Sequence, residues 1–375
     1  MKIGIPKEIA PGETRVAATP QTAVLYVKDK HEVLIEAGAG LGASFNDEAY
    51  KSVGAQIVAN SVELHKAADI ILKVQPPLKN EVELLREGSS YIGFLAPFTN
   101  REVIQEFVKR KITGFSMEFI PRITRAQSMD ALSSMANIAG YKAVLLASDE
   151  INKMFPLMMT AAGTIPPAIV LILGAGVAGL QAIATAKRLG AKVEAFDPRP
   201  VVKEQVKSLG ATFIEMEMPA DAETKGGYAK EMSEEFLRKE QEAIGARLPK
   251  VDVVISTAQV FGKRAPVLIT TAMVNSMRPG SIIVDLAAEQ GGNCELTKPG
   301  ELVEHNEVKI VGAVNLAATL PVDASQMYSR NVFNLFKLIY PKSDAQPDFN
   351  DEVLKGACLT RGGQILNEQL AALYK

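Results

Sequence analysis

The chain has 375 residues, long enough for two domains with sizeable cores. Its 41 basic and 43 acidic residues leave a formal charge of −2, which excludes a basic nucleic-acid footprint. Cys294 and Cys358 lie far apart without metal-ligand spacing, so neither a disulfide framework nor a metal site is expected.

The N-terminus opens as a strand, Met1-Lys-Ile-Gly-Ile5, with no basic-then-apolar signal segment. Short apolar runs at Lys2–Ile5, Glu32–Glu36, Ile70–Val74, Tyr91–Leu95 and Ile112–Phe119 predict strands. Helical patterns near 20–29, 47–53, 60–67, 79–86 and 100–110 separate them. This alternation predicts a mostly parallel sheet covered on both faces. A helix is then expected from Met129 to Phe155, with Leu132, Met135, Ala136, Ala139, Ala143 and Leu146 as its apolar stripe. Its polar stripe is Asp130, Ser133, Ser134, Asn137 and Tyr141, and Pro156 stops it. The apolar stretch 157–173 is interrupted by Thr164, Pro166 and Pro167, so no membrane span is expected and the chain reads as cytoplasmic.

The most informative segment follows. Ile169–Leu173 is an apolar run of strand length that enters Gly174-Ala175-Gly176-Val177-Ala178-Gly179, and a helical pattern runs on to Leu189. Gly174 suits a tight turn, Gly176 lets the backbone approach a pyrophosphate, and Gly179 lets helix and strand pack closely. The N–H groups and positive dipole end at Ala175, Gly176 and Val177 then face the phosphates. A second strand, Lys192–Phe196, ends at Asp197, whose carboxylate can accept from an adenosine ribose and would repel a 2′-phosphate. NAD(H) is therefore favoured over NADP(H), although Arg199 is a cation that can meet a phosphate. The plainer reading is a glycine turn that binds nothing.

Further strands are expected at Thr212–Glu217, Val251–Ser256, Ser281–Leu286 and Val308–Val314, and helices at Ser325–Tyr340 and Ile365–Tyr374. Between Glu217 and Val251, Gly226-Gly227-Tyr228 suggests either a loop that moves over a site or a charged surface excursion. The expected fold is α/β: two doubly wound, Rossmann-like domains with parallel sheets, joined by long helices. Residues 1–133 form the first domain, completed by 324–375, and 134–323 form the dinucleotide-binding domain.

Gly4-Ile-Pro-Lys-Glu8, Glu13-Thr-Arg15-Val-Ala-Ala-Thr-Pro20, the run from His31 to Gly40 and Glu289-Gln-Gly-Gly292 resemble the alanine dehydrogenase and pyridine nucleotide transhydrogenase superfamily, over essentially the whole chain. Alanine dehydrogenases carry a lysine where this chain has Gln75 and a histidine where it has Ala96. Where they place an aspartate before Gln-Gly-Gly, this chain has Glu289. Without the ammonium and the imidazole, general acid–base capacity is lost, and reductive amination is not expected. Arg15, without those partners, reads as an exposed basic residue in a turn.

Pro121-Arg-Ile-Thr-Arg-Ala-Gln-Ser-Met-Asp130-Ala-Leu-Ser133 is similar to the signature loop of the NAD(H)-binding component, domain I, of proton-translocating NAD(P)+ transhydrogenases. The resemblance assigns catalytic roles to Arg122, Gln127, Asp130 and Ser133. It makes Tyr228 a lid over NAD(H) and adds Glu289 to the cofactor-binding set. Asp130 and Ser133 would hold the carboxamide, and Gln127 would reach a second nucleotide. Hydride transfer between two nicotinamides needs no protein acid or base, only orientation and the exclusion of water. The resemblance further implies a homodimer, peripherally attached to the inner membrane through a membrane-embedded subunit, with NADP(H) carried by a partner domain III. An alanine-type dehydrogenase and a non-catalytic NAD-binding protein are the competing readings.

Overall fold

The structure is a computed structural model that describes residues 1–216, 233–342 and 346–374. It divides into two compact units, Met1–Met135 with Ala317–Lys375, and Ala136–Leu316.

The first unit is built on strands β1 (Lys2–Ile5), β2 (Glu32–Glu36), β3 (Gln56–Val58), β4 (Ile70–Leu72), β5 (Ser90–Gly93) and β6 (Thr113–Ser116). All pair in parallel, in the order β6-β5-β4-β1-β2-β3. Parallel strands are buried on both faces and so read as unbroken apolar runs, which Ile70-Ile-Leu72 shows in its simplest form.

The second unit begins, after the hairpin β7 (Met158–Thr160) and β8 (Gly163–Ile165), with β9 (Ile169–Leu173) and β10 (Lys192–Phe196). There follow β11 (Thr212–Phe213), β12 (Val253–Ser256), β13 (Ile282–Asp285), β14 (Leu302–His305) and β15 (Val308–Gly312). Their order is β11-β10-β9-β12-β13-β15-β14, parallel except for β14. Successive residues of β9 feed opposite cores. Val170 and Ile172 join one apolar cluster and Leu171 and Leu173 the other. Period-2 alternation with both faces apolar defines a central strand of a doubly wound sheet. The expected fold class is therefore borne out in both units.

Several elements differ from expectation. The first sheet is extended by antiparallel β16 (Cys358–Arg361) and β17 (Gln364–Ile365), so the last helix starts only at Glu368. Strands β3 and β14 lie outside the expected set, because each is short and half-exposed at a sheet edge. The long helix spans Ala131–Glu150. It starts late because Asp130 is non-helical, at φ −73° and ψ 87°, and its carboxylate accepts from the Ser133 N–H at 2.9 Å. At the other end the Lys309 ammonium donates to the Glu150 carbonyl at 2.8 Å, meeting one of the four open acceptors of a helix terminus. Its fully buried side is Ala131, Met135, Ile138, Ala143, Val144 and Ala147, while Leu132, Ala136, Ala139 and Leu146 are only partly covered. The expected stripe is thus rotated from the true one. The second long helix, Pro321–Ile339, starts earlier than expected, with Pro321 in the first turn where its missing N–H costs nothing. No helix among the described residues is long and apolar enough to cross a membrane.

Tyr26 packs edge-to-face on Phe333 and Phe336, and His31 on Phe336. Neither ring nitrogen of His31 has a hydrogen-bond partner among the described residues. Burial, helped by the positive N-terminus, pushes its pKa below the ordinary value. The unfolded chain therefore binds this proton more readily than the folded one. The stability His31 permits is fully present above about pH 6.5 and declines as pH falls through that value towards the lower folded pKa. His31→Phe should lose less thermal stability than the parent on acidification from about pH 7.5 to 5.5. Identical losses in calorimetry would rule this account out.

Candidate functional site

The carboxyl end of β9 forms the glycine turn. Gly174 has φ +91°, a left-handed conformation that favours glycine, and a Cβ there would lie 2.7 Å from the Thr257 hydroxyl. Gly176 caps the helix Val177–Arg188, and no side chain caps that turn. The first intrahelical bond is Leu180 N–H to the Gly176 carbonyl at 2.8 Å, so the preceding N–H groups have no helical acceptor. A Cβ on Gly176 would meet nothing nearer than the Arg199 guanidinium at 3.8 Å, so the backbone there is not crowded by side chains. A Cβ on Gly179 would lie 1.9 Å from the Gly174 carbonyl oxygen, so only glycine permits this strand–helix approach.

Asp197 is 2% exposed and does not stand open as the sequence suggested. Its Oδ2 accepts from the Ala175 N–H at 2.7 Å and from Arg199 Nη2 at 2.8 Å. Its Oδ1 accepts from Arg199 N and Nε, both at 2.9 Å. The roughly four acceptor positions of a carboxylate are thereby filled. A ribose hydroxyl reaches this carboxylate only if the Arg199 side chain swings away. Glu240, a buried residue of the helix Glu234–Gly245, is pushed up to about 8, by burial first and then by the Asp197 charge.

The carboxyl ends of β12 and β13 are tied to the same turn. Asp285, fully buried, accepts from Ala287 N at 2.9 Å, Asn293 N at 2.7 Å and the Thr297 hydroxyl at 2.7 Å. The Asn293 amide donates to the Ala258 and Pro266 carbonyls, both at 2.8 Å, and accepts from Ala258 N at 3.0 Å. Thr257 donates to the Gly174 carbonyl at 3.0 Å. Asp285, Asn293 and Thr257 escape a reading of the sequence. The available signal was an aspartate closing the apolar run Ile282–Asp285, since a buried carboxylate must be fully hydrogen-bonded. Glu289 is exposed on the following 3₁₀ turn, Ala288–Gln290. Gly226, Gly227 and Tyr228 lie outside the described residues.

The signature loop belongs to the first unit. Thr124–Met129 is a 3₁₀ helix in which Ala126 and Met129 are buried and Gln127 is exposed; Arg122, just before it, is exposed too. The Ser128 carbonyl accepts from the side-chain amides of Asn331 at 2.9 Å and Asn334 at 3.0 Å. Arg125 forms a 2.8 Å ion pair with Asp351. Asp130 and Ser133 are brought together: the hydroxyl donates to Asp130 Oδ2 at 2.6 Å. The loop is thus a preset surface feature with Gln127 at its exposed tip.

In the first unit β1 pairs with β2 on one side and β4 on the other, a topological switch point of the kind where α/β sheets bind ligands. A buried polar cluster fills it. Arg15 is 3% exposed, contrary to expectation, and its guanidinium donates to both Glu13 oxygens at 2.7 and 2.6 Å. Gln75 Nε2 donates to the same carboxylate at 2.8 Å. Burial would raise the Glu13 pKa, but the Arg15 and Gln75 hydrogen bonds outweigh it and hold it down to about 2. Lys73 donates to Glu81 at 2.6 and 2.7 Å. Glu8, pushed up to about 7 by burial against the opposing pull of Lys73, accepts from the Val74 N–H at 2.6 Å. Ala96 sits at φ +44° and its N–H donates to Glu118 at 2.7 Å.

Residues 4–139 match the alanine dehydrogenase/PNT N-terminal domain, and residues 143–368 its C-terminal domain. The chain is 49% identical to the first of the parts that make up NAD(P) transhydrogenase subunit alpha in Rhodospirillum rubrum, over 99% of both chains. It is 46% identical to NAD(P) transhydrogenase subunit alpha of Haemophilus influenzae, over 97% of this chain and 71% of that one. The solved transhydrogenase from Sinorhizobium meliloti superposes with a TM-score of 0.86 at 40% identity, covering 98% of this chain and 100% of that one. With the glycine turn and both doubly wound units in place, this chain belongs to the alanine dehydrogenase/PNT family and is similar along its whole length to transhydrogenase alpha subunits.

Proposed function

We propose that this chain is the NAD(H)-binding component of a proton-translocating transhydrogenase. It passes hydride between NAD(H) and the NADP(H) held by a partner domain III. The observation that carries this reading is the signature loop, which presents Gln127 to solvent from a base anchored by Asn331, Asn334 and Asp351. A dehydrogenase that completes its reaction alone has no need of an exposed, preset polar tip.

Each group of residues has a physical task. The N–H groups around Gly176 and Val177 receive the diphosphate, the Ala175 N–H being already given to Asp197 rather than to a phosphate as the sequence suggested. The nicotinamide supplies the C4 that gives or accepts hydride. Asp130 and Ser133, locked to each other, offer a fixed pair of polar atoms to orient the carboxamide. Gln127, neutral and able both to donate and to accept, suits contact with a nucleotide carried by the partner. Arg122 assists that approach, and Glu289 borders the nucleotide. Gln75 and Ala96 support this reading against the alanine-dehydrogenase branch. Neither side chain transfers a proton near neutral pH, and Gln75 is already bound to Glu13.

Association with a second copy fits the hairpin β7–β8. Met159 is 75% exposed and Leu157 54%, with Met154 and Ile165 also exposed beside them. An apolar projection of this kind marks an interaction surface, and an isologous contact would cover it in both copies. Proton movement belongs, in this reading, to the membrane-embedded partner, which holds the chain peripherally at the inner membrane.

The isolated chain should bind NADH yet oxidise no NADPH until domain III is added, when an NAD+ analogue should be reduced rapidly. Pyruvate- and ammonia-dependent NADH oxidation by the chain alone would instead revive the dehydrogenase reading. Gln127→Asn should lower the transfer rate of the mixture by at least about tenfold while NADH affinity changes little. Equal loss of both would place Gln127 in NADH binding. Met159→Asp should shift the sedimentation coefficient towards monomer with NADH affinity retained, and an unchanged coefficient would remove the hairpin from the dimer contact.

A further inference from the structure

Glycine is among the poorest helix formers, yet Gly140 sits in the middle of the helix Ala131–Glu150 and is buried. A Cβ at this position would lie 2.1 Å from the carbonyl oxygen of Ala178, and 2.9 and 3.0 Å from its carbonyl carbon and Cα. All three atoms are backbone, so no rotamer change relieves the overlap. Ala178 is the second residue of the nucleotide-binding helix Val177–Arg188. The next residue, Gly179, makes a comparable approach to the Gly174 carbonyl. The first turn of this helix is therefore held by two backbone-to-backbone contacts, each requiring a bare Cα.

We propose that Gly140 is a positioning residue for the diphosphate of NAD(H), seating its helix against Ala178 and so fixing the first turn whose N–H groups receive the phosphates. Gly140 touches no ligand itself and acts through Ala178. Because the oxygen to be received is small and the donors are backbone, a displacement of a few tenths of an ångström lengthens several hydrogen bonds together. The inference rests on the reading that NAD(H) binds at the glycine turn.

The test compares the full chain with Gly140→Ala and Gly312→Ala. Gly312, on β15 of the same unit, would place its Cβ 2.0 Å from the Lys298 carbonyl and so supplies an equal steric insult elsewhere. Affinities for NADH, ADP-ribose and adenosine are measured by calorimetry, with unfolding midpoints alongside. Gly140→Ala should weaken NADH and ADP-ribose by about tenfold or more and adenosine by less than about twofold. Gly312→Ala should lower the midpoint without separating the three ligands. Unchanged NADH affinity in folded Gly140→Ala, or a loss shared equally by adenosine, would overturn the proposal. If Gly140→Ala does not fold, hydrogen exchange in the unaltered protein decides the matter. NADH should then slow the amides of 138–144 together with those of 177–181, and protection confined to 177–181 would overturn the proposal. Failure of the unaltered chain to bind NADH or ADP-ribose would sink the functional reading itself and this inference with it.

Discussion

A missing methyl group at Gly179 governs the second unit. The helix Val177–Arg188 approaches the end of β9 so closely that a Cβ would lie 1.9 Å from the Gly174 carbonyl. That approach brings the N–H groups of the first turn, which have no helical acceptor, to the carboxyl edge of the sheet, where dipole and donors point the same way, the geometry an anion site requires. It also sets the position of Ala175, whose N–H reaches Asp197 across 2.7 Å. The bonds that Asp285, Asn293 and Thr257 make among the ends of β9, β12 and β13 keep this edge from spreading. Backbone donors preset in this way lose little entropy when an anion arrives, which is how a modest number of contacts yields useful affinity.

The two units devote buried polar groups to opposite ends. In the second, buried carboxylates and amides hold together the sheet edge that carries the glycine turn. In the first, the buried polar groups at the corresponding switch point are paired with one another. Glu13 takes the Arg15 fork and the Gln75 amide, and Glu81 takes Lys73. Such charges are retained because each is paired, and removing one partner would leave the other buried and uncompensated. The left-handed backbone at Ala96 is held by Glu118, whose other oxygen accepts from Ser116. The cluster has the character of a polar core that holds strand ends together.

Much of this was legible from the residues in order. The strands β1, β2, β9 and β10 have the limits their residues predict, because an apolar run buried on both faces is a local signal. The glycine turn was equally legible, since three glycines at fixed spacing, between a strand and a helix, meet one geometric demand. Edge strands β3 and β14 escaped because half-exposed residues carry no such pattern. The apolar stripe of Ala131–Glu150 was misplaced because alanines and a glycine dominate that face, and small residues carry a weak periodic signal.

The sequence by itself determined the two doubly wound sheets, the glycine turn and the residue types of the loop 121–133. Each of these is written in neighbouring residues, through side-chain period, backbone freedom or residue type. Only the tertiary structure decided what those residues touch. The loop is anchored by Asn331, Asn334 and Asp351, which lie 203, 206 and 226 positions from their partners. Asp197 is saturated by Arg199 together with the Ala175 N–H, and Arg15 is buried on Glu13 rather than exposed. A charge declares its sign in the sequence but not its partner, because pairing depends on which strand ends the fold brings together.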